Sequence, residues 1–378
     1  MTTEPTNICF PFIGDTIGGS HISSLLLAEA LPPEYLPVFC LHQKGKLWEY
    51  LVERNHQPLH LPLTNYVGSS GSLQANICSA VSALMPIRRF LKANKISIVH
   101  GNDTRSNQTW VLGAKSSHIP FVWHQRTPPA LSRITKYLMQ ASNVVICISN
   151  YTLTTLPARC LHKAISIYNP FAVPDPVPDR GSEKNKVTES LGLPNDSILV
   201  GFFGNLIDRK RPLDFVDVIH WLHHHFKHRN VVGLMFGEIR EGYDDQIRNR
   251  ARKFGIEQNV KLMGFQRNIS HFISGVDYSV ATSIDEPFGR TLVESMFLGT
   301  PVIATNSGGH REIIEDNSNG LLVPVGDGHA FASAVHRLIS DEKLEKSIVG
   351  QARLDALQRY SVSNHKTEIC RIYSNLLD

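Results

Sequence analysis

Hydrophobic residues fall along this chain in short, often β-branched runs separated by longer amphipathic stretches, and the alternation recurs from end to end. Buried parallel strands read as continuous apolar runs and their crossover helices read with a 3.6-residue period, so the rhythm predicts an α/β protein. In the first part, strands are expected at residues 7–12, 37–42, 59–63, 96–100, 121–123 and 144–148. After the first strand, Ile22, Leu25, Leu26 and Ala30 stand at helical spacing and Pro32-Pro33 closes the helix. Further helices are expected over 46–55 and 77–93, with a Gly- and Ser-rich surface loop over 66–73. In the second part, strands are expected at 198–203, 231–236, 260–263, 278–281, 302–304 and 320–323. Helices are expected there over 187–191, 213–228 and 244–254, near residue 290 and from Asp327, where Phe331, Ala334, Val335 and Leu338 share one face.

Proline marks the division between the parts. Tyr168-Asn169-Pro170-Phe171 is followed by Pro174, Pro176 and Pro178. Proline has no N–H and pushes the residue before it toward extended backbone, so neither a helix nor a central strand continues. The expected domains are residues 1–170 and 171–355, with a terminal helical segment at 356–378. A chain of 378 residues suits two domains of ordinary size.

Composition and charge narrow the class. The first nine residues lack a basic start followed by an apolar core, and no apolar run approaches bilayer length, so a cytosolic location is expected. Cys9, Cys40, Cys78, Cys147, Cys160 and Cys370 are scattered, which suggests neither a disulfide framework nor a zinc site. Residues 1–170 hold 14 Lys/Arg and 7 Asp/Glu, a net +7, whereas residues 171–378 hold 24 and 27, a net −3. A basic first half attracts an anionic acceptor or the surface of an anionic membrane. Basic patches interleaved with aromatics are missing, so nucleic acid is not an expected partner. His223, His224 and His225 are adjacent on a helix and point three ways, so they are assigned to solvent.

Polar chemistry collects just after the strands, where open α/β sheets bind ligands. Gly14-Asp15-Thr16-Ile17-Gly18-Gly19 follows the first strand, but without the Gly-x-Gly-x-x-Gly order of a dinucleotide fingerprint. His100-Gly101-Asn102-Asp103 and His124-Gln125-Arg126 close two more. Gly204-Asn205-Leu206-Ile207-Asp208-Arg209-Lys210-Arg211-Pro212 puts a glycine and three cations ahead of a helix, a phosphate cradle or a solvated basic turn. Gly264-Phe265 ends a further strand, its ring free to stack or to pack. The densest stretch begins at Glu286-Pro287-Phe288-Gly289-Arg290-Thr291 and runs through Glu294, Gly299-Thr300-Pro301 and Gly308-Gly309. It reads as loop, helix, tight turn, strand and glycine loop, with backbone N–H groups of Phe288, Gly289 and Arg290 at the helix start. Arg290 and Glu294, at i and i+4, also suit an ordinary helical ion pair.

The string Glu286 to Glu294 with Pro-Phe-Gly inside it, then Gly-Thr-Pro-Val-Ile-Ala and Gly-Gly-x-x-Glu, resembles the nucleotide-sugar signature of the retaining GT-B glycosyltransferases of the large group 1 family. The resemblance implies two Rossmann-like doubly wound parallel-sheet domains facing a cleft, the first on the acceptor side and the second on the donor side. It implies that Glu294 holds ribose hydroxyls, that Glu286 sits against the donor sugar, and that Gly289, Arg290 and their neighbours Phe288 and Thr291 meet the nucleotide-sugar. Gly18 and Gly19 would face the diphosphate, and His124, with His100 as second candidate, would stand beside the anomeric centre. In the loop after residue 203 the family carries Gly-Arg-Leu and a later Lys; here Gly204 and Lys210 match and Asn205 replaces the Arg. The grip on the diphosphate then falls to Lys210 with Arg209 or Arg211, and Phe265 lies at the base. The implied reaction moves a sugar from a nucleoside-diphosphate-sugar to a glycan, lipid-linked or other hydroxyl acceptor, with retention and with no metal or other cofactor. A nucleotide-sugar epimerase or phosphorylase, a binding module without catalysis and, less well matched, a pyridine-nucleotide oxidoreductase are the alternatives.

Overall fold

The computed structural model describes residues 5–68, 72–128, 132–228, 230–240 and 242–378. Residues 69–71 of the expected 66–73 loop and the first four residues of the N-terminal stretch lie outside them. Two compact units form, Met1–Ala172 with Tyr360–Asp378, and Val173–Arg359. Against expected boundaries at 170 and 355, the chain passes to the second unit at 172/173 and returns to the first at 359/360.

In the first unit the chain alternates β1 (Thr6–Phe12), α1 (Gly19–Ala30), β2 (Tyr35–Leu41), α2 (Lys46–Glu53), β3 (Leu59–His60), α3 (Leu73–Ala93) and β4 (Ile96–Gly101). It continues with α4 (Thr104–Ser116), β5 (Phe121–Gln125), α5 (Arg133–Gln140), β6 (Val144–Cys147), α6 (Asn150–Thr154) and β7 (Ala164–Ser166). The sheet order is β3-β2-β1-β4-β5-β6-β7, with every pairing parallel. Side chains alternate across it with a period of two: Phe121 and Trp123 enter the core layer that holds α3 and α4, whereas Val122 enters the opposite layer with Phe10 and Leu25.

The second unit repeats the plan with α7 (Arg180–Ser190), β8 (Ile198–Phe203), α8 (Pro212–His224), β9 (Val231–Phe236), α9 (Tyr243–Lys253), β10 (Val260–Gly264) and α10 (Ile269–Gly275). Then come β11 (Tyr278–Ala281), α11 (Arg290–Phe297), β12 (Val302–Thr305), α12 (His310–Ile313), β13 (Leu321–Val323), α13 (Gly328–Ser340) and α14 (Glu342–Arg359). Its order is β10-β9-β8-β11-β12-β13, again parallel. Val200 and Phe202 pack on α8 and α13, while Leu199 and Phe203 pack on α7 and α10. α7 starts seven residues before the expected helix at 187, because the Asp179 carboxylate caps it by accepting the N–H of Ser182 at 2.7 Å. Among the described residues no helix is long and apolar enough to cross a membrane.

The last helix, α15 (Val362–Leu377), belongs to the first unit. Ile369, Ile372 and Tyr373 join the layer under β1, and the Tyr373 hydroxyl meets His100 Nδ1 at 2.6 Å with both groups fully buried. Removing that hydroxyl strands a buried imidazole nitrogen, which costs about 1–3 kcal/mol. Tyr373→Phe should therefore lower the unfolding free energy of the full chain by that amount in urea titrations; a change below about 0.5 kcal/mol would detach α15 from the stability of its unit.

Candidate active site

Each sheet reverses its strand order once, between β1 and β4 in the first unit and between β8 and β11 in the second. At such a switch point the loops after the two strands run apart, which is where open α/β sheets receive ligands. In the second unit those loops carry the cationic and carboxylate residues singled out in the sequence.

The loop after β8 turns through a short 3-10 segment, Asp208–Lys210, and reaches α8 by way of Arg211 at φ 51°. The loop after β11 is stitched to it. Thr282 Oγ1 meets the carbonyls of Lys210 and Arg211 at 2.9 and 3.0 Å, and the Ile284 N–H donates to the Arg209 carbonyl at 2.9 Å. This brings Lys210 Nζ to 3.0 Å from the carboxylate of Glu286, and the Arg209 guanidinium donates to the same oxygen. Glu286 is only 9% exposed. Burial alone would raise its pKa, but Lys210, Arg209 and His310 outweigh burial and hold the carboxyl below its ordinary range. Arg211 instead pairs with Asp214 on α8, so of the two arginines it is Arg209 that reaches Glu286. Asp285, next to Glu286, is left-handed at φ 49°. Two non-glycine residues in that region, Asp285 and Arg211, put backbone strain on the order of 1–3 kcal/mol each beside the paired charges.

A third loop closes over Glu286 from β12. Gly308 has φ 54°, and a Cβ there would lie 2.6 Å from the Glu286 carbonyl oxygen; glycine alone allows the approach. The Gly309 N–H donates to that carbonyl at 2.7 Å. This bond braces the Glu286 loop. The same loop delivers His310, which sequence reasoning missed. The Thr305 hydroxyl donates to the Ser283 carbonyl and accepts from His310 Nδ1–H at 3.0 Å, so the network fixes the tautomer. Burial lowers the His310 pKa to about 4, with Glu286 opposing and Lys210 reinforcing. A histidine after two glycines has no sequence spacing to Glu286, and only the folding of one loop on another joins them.

The start of α11 follows Glu286. Phe288 is buried, Gly289 turns the chain at φ 111°, and Arg290 and Thr291 open the helix half-buried. Arg290 reaches Glu294 at 3.2 Å, so the ordinary i, i+4 ion pair does form. Burial raises the Glu294 carboxyl above its ordinary range, with Arg290 opposing. Lys210 lies across Gly204, whose Cβ would meet Lys210 Cε at 3.3 Å. Asn205 does not stand in for a missing cation: its side-chain oxygen accepts the Glu238 N–H at 3.1 Å and braces the β8 and β9 loops. Phe265 is 66% exposed, so it stands free of the core.

In the first unit, Gly18 and Gly19 are exposed at the start of α1, but the Gly18 N–H already donates to His21 Nδ1 at 3.0 Å. The His124 side chain is enclosed at the end of β5. The ring is fully buried, Nδ1 meets His100 Nε2 at 3.1 Å, and the carbonyl accepts from Asn107 at 3.1 Å. Burial first, then the Arg126 charge, holds His100 and His124 neutral. Among the described residues His124 Nε2 has no hydrogen-bond partner, and no group of three His, Cys, Asp or Glu is placed to hold a metal.

Residues 183–355 match the family described as "Glycosyl transferases group 1". The second unit is a group 1 glycosyl transferase domain. The chain is 27% identical to the lipopolysaccharide core biosynthesis glycosyltransferase LpsE of Rhizobium meliloti (strain 1021), over 44% of this chain and 49% of that protein. It is 21% identical to the UDP-Gal:alpha-D-GlcNAc-diphosphoundecaprenol alpha-1,3-galactosyltransferase of Escherichia coli, over 84% and 87%. The chain spans about half the length of several curated relatives it matches, 50%, 49% and 48% of three of them. HepE of Anabaena, solved in complex with UDP, superposes with a TM-score of 0.80 at 21% identity, covering 98% of this chain and 100% of that one. The fold of the two units is that of the GT-B glycosyltransferases.

In the group 1 domain the depressed pKa of His310 carries a sign. A histidine that stays neutral when folded but protonates near its ordinary 6.5 when unfolded contributes stability above 6.5, and that stability is lost as pH falls toward 4. The full chain should lose about 3 kcal/mol from this group over that window, and His310→Gln should flatten the urea-unfolding profile by a comparable amount. Identical pH slopes for the two proteins would mean that His310 titrates normally.

Proposed function

We propose that the chain is a metal-independent glycosyltransferase that transfers a sugar, with retention, from a nucleoside-diphosphate-sugar to a glycan, lipid-linked or other hydroxyl acceptor, and that it works on the cytosolic side. The observation that carries the reading is the cluster of Lys210, Arg209 and Glu286 at the β8/β11 switch point. Breaking a sugar–phosphate bond leaves negative charge on the departing diphosphate, and positioned cations in a half-buried site are what lower that barrier. Glu286 occupies the two cations as an internal anion; a diphosphate takes them over, and the released carboxylate accepts from sugar hydroxyls. Glu294, buried enough to raise its pKa, receives the ribose hydroxyls beside the helix start. The exposed ring of Phe265 offers a stacking face for the base. The group 1 match over this unit, the UDP bound to HepE and the UDP-galactose in the name of the Escherichia coli relative support a nucleotide-sugar donor. That relative's diphosphoundecaprenol acceptor supports a lipid-linked acceptor among the candidates.

Two substitutions test the assignment. Glu294→Ala should weaken nucleoside-diphosphate binding in calorimetry, and Lys210→Ala should slow transfer of labelled sugar by roughly 100-fold or more, the scale of losing one positioned charge stabiliser. Kinetics unchanged in both would move the site elsewhere, and nucleotide binding with no transfer to any acceptor would leave a binding module. Transfer should persist in EDTA; loss of activity restored by a divalent cation would overturn metal independence.

A further inference from the structure

The histidine run at the end of α8 takes no part in the switch-point cluster, but the tail behind it folds back on the second unit. Lys227 turns left-handed at φ 59°, and the His228 N–H then donates to the Leu222 carbonyl at 3.0 Å. A bond of that span is a common lock on a helix C-terminus, here with a lysine where glycine is usual. It carries His228 to α13, where His228 Nε2 meets His336 Nδ1 at 3.0 Å. The Phe226 ring stacks on His336 with centroids 4.6 Å apart, and both histidines are half-buried. His329 lies seven residues before His336 and so shares its face of α13. Its contact with His225 is of another kind: the rings meet edge to face, 5.1 Å apart and tilted by 71°.

We propose that His228 and His336 together bind a divalent transition-metal ion, with water in its remaining positions, and so tie the tail of α8 to α13. Neutral imidazole is the commonest protein ligand for such ions. Burial first, then the neighbouring His336, lowers the His228 pKa, so this ring is neutral and ready to ligate. One of the two facing nitrogens carries a proton in the free protein. That ring takes its other tautomer when it ligates, so a neutral pair gives up no proton. Both rings are half-exposed, which leaves them room to turn from each other toward a shared ion. At metal–nitrogen distances of about 2.0–2.1 Å, nitrogens 3.0 Å apart subtend roughly 95° at the ion, whereas a tetrahedral angle needs about 3.4 Å. The pair therefore suits ions that take ligands at right angles, Ni(II) or Cu(II), better than zinc. The thirteen residues of α8 span about 20 Å from the switch-point loops to this tail. The ion is thus remote from Lys210 and Glu286, and the inference stands or falls separately from the transfer reaction.

Calorimetry of the untagged full chain with nickel chloride tests it and should show one ion per chain. His228→Ala and His336→Ala should each weaken binding by roughly tenfold or more, at least what losing a hydrogen-bond partner of a ligand costs. His329→Ala should keep the parent affinity. Circular dichroism of the metal-free variants checks that they are folded, and His336→Gln, which keeps a hydrogen-bonding group but no imidazole, should lose binding as His336→Ala does. With Cu(II), electron paramagnetic resonance should show splitting from two imidazole nitrogens in the parent and from one in either alanine variant. Three results would overturn the proposal: no nickel binding by the parent, parent-like affinity in both His228→Ala and His336→Ala, or an equal loss in His329→Ala, which would mark a diffuse histidine patch.

Discussion

A carboxylate as enclosed as Glu286 remains ionised only if cations are brought to it, and much of the second unit's local structure meets that requirement. Lys210 and Arg209 come from the loop after β8, Glu286 from the loop after β11, and Gly308 and Gly309 close from β12. The hydrogen bonds of Thr282 and Ile284 fix the first two loops to each other through backbone carbonyls, so the pairing does not depend on long side chains finding one another. Left-handed Asp285 and Arg211 are the strained turns that this geometry imposes. A buried pair of this kind contributes little net stability, since desolvation offsets attraction. What it secures is the position of two cations at one point.

Much of this was legible in the chain because parallel strands are apolar throughout and their ends are punctuated by glycine and proline. The turn after α11, with Gly299 at φ 73° and Pro301 behind it, formed as its residues demand. Helix α4 was not legible. Asn107, Gln108 and Thr109 are buried on it, so its core face carries polar groups that erase the apolar period; its Asp103 cap, accepting the Ser106 N–H at 3.0 Å, was the one local signal. Asn205 and Arg211 sit in a loop whose composition indicated charge but not direction, and only tertiary partners, Glu238 and Asp214, decide where each side chain goes.

His124 shows the limit from the other side. A histidine closing a strand suits a catalytic position and a buried structural one equally well, and its surroundings depend on what α15 brings from more than two hundred residues away. Tyr373 engages His100, His365 stacks on His124 at a ring separation of 6.0 Å, and Arg126 donates to the Asn102 carbonyl, Asn169 and Ser24. The first unit thus keeps a buried guanidinium among neutral imidazoles, whereas the second keeps a buried carboxylate among cations. In the first the imidazoles stay neutral beside the guanidinium, and in the second a carboxylate lies between the two cations, so neither leaves like charges together without an opposite one.

The charge asymmetry between the halves of the sequence is also more local than its total suggests. Of the net +7 in residues 1–170, residues 54–102 contribute +5 from Arg54, Arg88, Arg89, Lys92 and Lys95, with no acid among them. Arg54 is paired with Glu29 at 2.7 Å. The remaining four stand at the C-terminal end of α3, where cations also favour the helix dipole. That dipole favours the cations of the last turn, Lys92 among them, within which its effect falls off. The basic excess of the first half is therefore concentrated near one helix end, far along the chain from the residues of the switch-point loops.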